Sequence, residues 1–297
     1  MTAGEFPYLE DIIGGTPVVC LRRLPAPGAT VLAKLEGANP AGSVKDRAAF
    51  SMILDAAASG RITPGDELVE ATSGNTGIAL AAAAAALGYR LTIVIPDGTS
   101  QERLDCMAAF GARIVLTPEA DGMEGARDRA DALVAQTGAV QLDQFANPAN
   151  PLAHMVFTAR EIWEQTGGRV THVVCTMGTT GTLTGVSRAL AEIAPGVKVI
   201  GVQPAPGESV PGIRAWPAEY LPAVFDPTHV AEVRTVTAQR AIDTARELAR
   251  VEGLMVGPSS GGAAAIALDI AAEQPEAVVL FIAPDRGDRY LSTGLYR

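Results

Sequence analysis

Basic residues are scarce in this chain of 297 residues: 23 Lys and Arg stand against 33 Asp and Glu, a formal net charge of −10. Nucleic-acid and anionic-membrane binding normally need clustered Lys and Arg to displace counterions, so this balance excludes both. Cysteine is scarcer still. Cys20, Cys106 and Cys175 are an odd number at wide spacing, which fits neither a disulfide framework nor a zinc cluster and suits reduced thiols in a cytoplasm. His154, His172 and His229 also lack ligand spacing, so they read as structural or exposed and no metal is expected. Long apolar runs are missing too: the stretch 78–87 ends at Gly88, short of the roughly 20 residues a membrane span requires. Residues 1–10 show no basic or apolar leader segment. Aromatics make up only 5% of a chain that is 48% hydrophobic, so its apolar mass is Ala, Val, Leu and Ile.

What is present points to an α/β protein. At roughly 150 residues per domain the length suits two domains or one large one, and 31 Gly with 20 Pro, unpatterned, imply many tight connections. From residue 67 short β-branched or Leu-rich runs alternate with longer helical ones, the mark of βα units. Residues 68–71, 91–95 and 114–116 predict strands, and 77–87, 101–110 and 123–136 predict helices. A turn-rich stretch at 147–151 (NPANP) breaks any element and marks a candidate domain boundary. The pattern then resumes: helices are predicted over 152–165, 184–193, 237–252 and 262–273, and strands over 172–176, 197–202 and 277–282. Residues 205–227 are proline-rich and aperiodic, a long loop of the kind that carries function. The alanine block 81–86 reads as a helix face small enough to approach a sheet closely.

Three loops rich in Gly, Ser and Thr sit where helices open. TSGNTG at 72–77 follows a strand, so amides and hydroxyls converge with a helix dipole behind them, an anion site suited to a carboxylate. GTTGT at 178–182 cradles a phosphate in the same way; it lacks the Lys of a Walker loop and the spacing of a dinucleotide fingerprint, so a monophosphate fits better than ATP or NAD. SSGG at 259–262 opens the last helix. Each loop taken alone reads equally as a helix cap and tight turn. Lys45 lies in NPAGSVKDR at 39–47, where Ser43 and Asp46 form a capping-box-like pair that puts the lysine in the first helical turn. There the dipole favours the neutral amine, the form that attacks an aldehyde; a solvent-exposed lysine is the plain alternative.

Taken together and in this order, the four segments resemble the pyridoxal-phosphate-dependent cysteine synthase and cystathionine β-synthase family over essentially the whole chain. Within it, GTTGT, the segment PGIRAWP at 211–217 and DRGDRYLSTG at 285–294 resemble the B isoform. No appended regulatory domain is expected, which counts against a full-length eukaryotic cystathionine synthase. The resemblance implies a two-domain tryptophan-synthase-β-like α/β fold (pyridoxal-phosphate fold type II), each domain a twisted, mostly parallel sheet flanked by helices. Residues 39–149 would form a smaller mobile domain, and residues 1–38 with 150–297 the larger one.

The same resemblance implies roles. Lys45 would hold pyridoxal 5'-phosphate and, once released, remove the substrate Cα proton. Asn75 would contact the cofactor ring oxygen, Gly178, Thr179, Thr180, Gly181 and Thr182 would hold its phosphate, and Ser259 would face the pyridine nitrogen. Thr72, Ser73, Thr76 and Gln144 would bind the amino-acid carboxylate. Arg214 would receive an anionic co-substrate such as thiosulfate, or the phosphate of O-phosphoserine, by bidentate pairing; its alternative is a solvated loop residue. The implied reaction makes L-cysteine or S-sulfocysteine from O-acetyl-L-serine and sulfide or thiosulfate, in a cytoplasmic homodimer. An O-phosphoserine-dependent synthase or a cystathionine β-synthase is the nearer rival, and a non-catalytic regulatory relative the more distant one. Cys175 reads as core, and the Arg286-Gly287-Asp288 tripeptide as chance.

Overall fold

The structure, a computed structural model, describes residues 7–297. The leader-free reading of residues 1–10 therefore lies largely outside the described residues. Strands β1 (Val18–Cys20) and β2 (Thr30–Leu35) pair antiparallel, and α1 (Lys45–Ala58) follows. Next come β3 (Glu67–Ala71), α2 (Asn75–Leu87), β4 (Arg90–Pro96), α3 (Gln101–Ala109), β5 (Arg113–Thr117), α4 (Gly122–Thr137) and the short β6 (Val140–Gln141). These four strands make an all-parallel sheet in the order β5-β4-β3-β6.

Beyond it lie α5 (Ala149–Ala153), α6 (Ala159–Gln165), β7 (His172–Thr176), α7 (Gly181–Ile193), β8 (Lys198–Pro204), β9 (Glu232–Val236), α8 (Ala238–Glu247), α9 (Pro258–Glu273) and β10 (Val278–Ala283). With β1 and β2 they build a six-stranded sheet ordered β1-β2-β10-β7-β8-β9, parallel except at the β1–β2 edge. The expected α/β class with mostly parallel, helix-flanked sheets is what the chain adopts. In each sheet the chain winds outward and then returns: β6 comes back beside β3, and β10 beside β7. Ligands of open parallel sheets bind at such reversals, off the carboxyl ends of the strands. The loops after β3 and β7 are TSGNTG and GTTGT.

Each sheet has its own core. Val174, Val279, Phe281 and the Ala-rich α9 pack together in one, and Ile53, Leu68, Leu80 and Ile93 in the other. Residues Thr76 to Ala84 of α2 are buried on every side; its alanines let the helix lie close to its neighbours, as the sequence predicts.

Four strands escape sequence reading. β1 and β6 are too short for a pattern, β2 carries a buried Lys34 one residue before its end, and β9 is an edge strand with mostly exposed side chains. Two predicted helices are interrupted. The one over 152–165 divides into α5 and α6 around a π-helical turn, His154–Thr158, and the one over 237–252 ends in another, Leu248–Glu252; such single π turns are rare insertions within otherwise helical stretches. The stretch at 147–151 does not break structure as expected. A turn at Asn147 leads into α5, whose first turn accommodates Pro151 because amides there have no helical partner. Among the described residues no helix is long and apolar enough to cross a membrane.

Candidate active site

A cleft of about 860 Å³ opens where the carboxyl ends of the two sheets meet. Lys45, Thr72, Ser73, Asn75, Thr76, Gln144, Gly178, Thr179, Thr182, Arg214 and Ser259 all line it. Of the expected site residues only Thr180 and Gly181 do not reach its wall, because they form the buried start of α7. Thr180 is the N-cap residue with φ 67°, and a Cβ on Gly181 would collide with Asn150 Oδ1.

Lys45 is the first residue of α1, and its amide donates to Ser43 Oγ at 3.2 Å. Asp46 Oδ1 accepts from Ser43 Oγ at 3.3 Å, and its Oδ2 is shared with the Ala41 amide at 2.6 Å. Burial pushes the Asp46 carboxyl up to about 6. The Lys45 ammonium is lowered from its ordinary value by desolvation, while Asp285 and Glu36 pull in the opposite direction. The neutral amine is thereby brought closer to hand.

The TSGNTG loop is held from behind. Thr76 Oγ1 donates to Gln144 Oε1 at 2.6 Å, and the backbone amides of Asp143 and Gln144 point at the buried Glu70 carboxyl, at 3.1 and 3.5 Å. Burial pushes Glu70 up to about 7. Asn150 Nδ2 joins the two loops, donating to Gln144 O at 2.7 Å and Thr179 Oγ1 at 3.3 Å. Beneath the second loop His154 Nε2 contacts Thr182 Oγ1 at 3.2 Å and its Nδ1 contacts Thr158 Oγ1 at 3.0 Å. Burial, with the nearby Arg47 and Lys45 charges, keeps that imidazole neutral. Cys175 belongs to the core as expected, yet it also touches the cleft; burial pushes its thiol up to about 12, which makes it unreactive.

Arg214 is exposed at the cleft mouth, its guanidinium 5.4 Å from the Trp216 ring centroid. The loop carrying it is pinned to the start of the GTTGT loop: Arg214 N donates to Met177 O at 2.7 Å and Trp216 Nε1 to Gly178 O at 2.8 Å. Gly212, at φ 90°, lies against Ser259, where a Cβ would come within 3.3 Å of Oγ.

Sequence reasoning missed Asp285, Arg289, Tyr290 and Asn150. Asp285 is buried, accepts from Asn75 Nδ2 and the Tyr290 hydroxyl, both at 2.7 Å, and leaves Oδ1 without a partner. Burial raises its carboxyl. No local signal marks it, since Asn75 is 210 residues away.

The donor set fits a phosphorylated aldehyde. The buried Thr180 Oγ1 has no partner, the N-terminus of the 13-residue α7 is flanked by the Thr179 and Thr182 hydroxyls, and a depressed amine faces the same cleft. Such donors suit a phosphate monoester without any basic side chain in the loop.

These features define an enzyme cleft built around a lysine and an anion cradle, and the chain belongs to the pyridoxal-phosphate dependent enzyme family, whose model matches residues 9–285. Its cofactor is pyridoxal phosphate. Cysteine synthase B of Escherichia coli (strain K12) is 55% identical over 289 residues, covering 97% of this chain and 95% of that protein. Cysteine synthase B of Pseudomonas aeruginosa is 53% identical over 98% of both chains. Among solved structures, that of an O-ureido-L-serine synthase superposes with a TM-score of 0.93 at 42% identity, covering 98% of this chain and 95% of that one.

Proposed function

We propose that this protein makes L-cysteine, or S-sulfocysteine, by β-replacement on O-acetyl-L-serine with sulfide or thiosulfate as donor. The observation that supports this reading is a desolvated Lys45 amine in one cleft with the TSGNTG and GTTGT loops, each at the reversal point of its own sheet. When bound, pyridoxal phosphate supplies an aldehyde carbon for amines and an electron-withdrawing ring that loosens the Cα proton.

The remaining work falls to the chain. Gly178, Thr179, Thr180, Gly181 and Thr182 hold the phosphate through amides and hydroxyls at the start of α7. Ser259 offers the ring a neutral hydroxyl, which tempers electron withdrawal and suits elimination at Cβ. Thr72, Ser73, Thr76 and Gln144 seize the substrate carboxylate, with Asn75 beside them. Lys45 Nζ holds the cofactor and then takes the Cα proton, a task for which its lowered pKa suits it. Residues 39–149 close as a unit on carboxylate binding, excluding water from the cleft. Arg214 pairs with an anionic donor or leaving group; its exposed position at the mouth also favours O-phosphoserine as a second acceptor reading.

Two features support the proposed cytoplasmic compartment and homodimeric assembly. Three free thiols suit a reducing cytoplasm. The exposed Leu152, Val156 and Phe157 around the first π turn suit burial in a homodimer, which light scattering tests.

The function is tested by adding O-acetyl-L-serine to the cofactor-loaded protein and following its visible absorption band. A shift that sulfide or thiosulfate then reverses supports the reading; an unchanged band sinks it. Arg214→Ala is expected to cut the rate with thiosulfate about tenfold or more while sparing sulfide. Equal losses with both donors remove the selective role.

A further inference from the structure

The carboxamide of Asn75 has two side-chain partners, and both come from one short segment after β10. Arg289 Nη1 donates to Asn75 Oδ1 at 2.6 Å, and Asp285 Oδ2 accepts from Asn75 Nδ2 at 2.7 Å. A guanidinium only donates and a carboxylate only accepts, so the pair dictates which end of the amide faces which way. The same segment grips the chain just ahead of Lys45. Arg289 Nη2 donates to the Ala41 carbonyl, Val44 N donates to Pro284 O at 2.8 Å, and Ser43 bridges Asp285. Gly42, at φ 85°, leaves the space through which Arg289 passes. Farther along, Arg246 Nε donates to Leu295 O at 2.6 Å and the Tyr296 hydroxyl to the Val256 carbonyl, which anchors the segment to the body of the six-stranded sheet.

We propose that Asp285 and Arg289 are positioning residues that set the orientation of Asn75 toward pyridoxal phosphate and keep it in register with Lys45. The proposal rests on the reading that this cleft takes that cofactor. A cation on Oδ1 polarises the amide and strengthens its N–H groups as donors. One of these is spent on Asp285; the other is left for an oxygen acceptor in the cleft that Asn75 lines. Without Arg289 the amide loses that polarisation and one of its two anchors, and only Asp285 opposes a half-turn that would bring its carbonyl to the same place, where it repels an oxygen.

The test removes and restores the cofactor in the wild-type enzyme, in Arg289→Met, in Asn75→Ala and in the double variant. It reads the apparent dissociation constant and the position of the visible absorption maximum. Each single variant is expected to bind pyridoxal phosphate about tenfold more weakly, the scale of one charge-assisted hydrogen bond. Because Arg289 acts through Asn75, the double variant is expected within about twofold of Asn75→Ala alone. Arg289→Lys is expected to recover part of the affinity and to return the maximum toward its wild-type position. Wild-type affinity with an unmoved maximum in Arg289→Met overturns the proposal, as does a double variant about a hundredfold weaker, the product of independent effects. If the wild-type protein itself develops no visible band, the cofactor reading falls and the proposal falls with it. A normal wild-type band beside an indifferent Arg289→Met sinks the proposal alone. Should Arg289→Met fail to fold, Asp285→Asn passes through the same cycle under the same criteria.

Discussion

Lys34 and Lys45 are both desolvated by their surroundings, and burial lowers the pKa of each, yet they are provisioned in opposite ways. Lys34, on β2, spends its three protons on Glu161 Oε2 at 2.8 Å, Gln165 Oε1 at 2.9 Å and Thr16 O at 3.0 Å. Beside it Arg47 pairs with both oxygens of Glu36, at 2.7 and 2.9 Å, and both oxygens of Glu161, each at 2.7 Å. Lys45 has no hydrogen-bond partner for Nζ among the described residues; Asp285 and Glu36 act on it only through space. Lys45 and Arg47 are two positions apart at the start of one helix, roughly 200° around its axis. One face of α1 is thus a saturated ion network that ties the helix to β2 and α6, and the other presents an unsatisfied amine to a cleft. A buried cation with every proton engaged is structural, whereas one left short of partners is ready for chemistry.

The sharpest way to break this contrast is to remove each cation in turn. Lys45→Ala is expected to abolish the visible band of the bound cofactor and to lower kcat at least about a thousandfold. Its urea midpoint should hold or rise, since an unpaired buried cation costs stability. Arg47→Met is expected to do the reverse, lowering stability by about 3–5 kcal/mol because Glu36 is left buried without its cation and Glu161 keeps only Lys34. Equal stability losses in the two variants would erase the distinction.

Acid sharpens the comparison more gently. Burial alone would raise Glu161, but hydrogen bonds and charge from Arg47, then from Lys34, bring it down from 4.5 to about 2. Between those values the unfolded chain binds the proton and the native one does not. This contribution is therefore complete above about pH 4.5 and is lost as pH falls toward 2, to a limit of about 3 kcal/mol. Urea denaturation at stepped pH is expected to show that slope, and Glu161→Gln to flatten it. A slope that survives the substitution assigns the acid sensitivity elsewhere.

How much of this was legible in the sequence depended on distance along the chain. The anion loops could be read because each is contiguous and lies between a strand and a helix; the structure places TSGNTG and GTTGT directly after β3 and β7. Lys45 was identifiable by its neighbours, but the reason for its depressed pKa was not. A helix dipole is a local property, whereas desolvation depends on walls contributed by segments that do not adjoin it in sequence. Arg47 gave no hint of its role either, since Glu161 lies 114 residues away. Asn150 was hidden inside a stretch that looked like a boundary, and it links Gln144 to Thr179 across the two loops.

By itself the sequence determined the alternation of strands and helices, the hydroxyl and amide donors of both loops, and the lysine between them. These follow from short-range rules of periodicity, capping and turn chemistry, which act within a few residues. Only the tertiary structure decided that Asp285 and Arg289 would clasp Asn75, that Lys34 would be saturated while Lys45 was not, and that both loops would face one cleft. Those outcomes depend on which strands lie side by side and on how far water is excluded between them, and no stretch of local sequence carries that information.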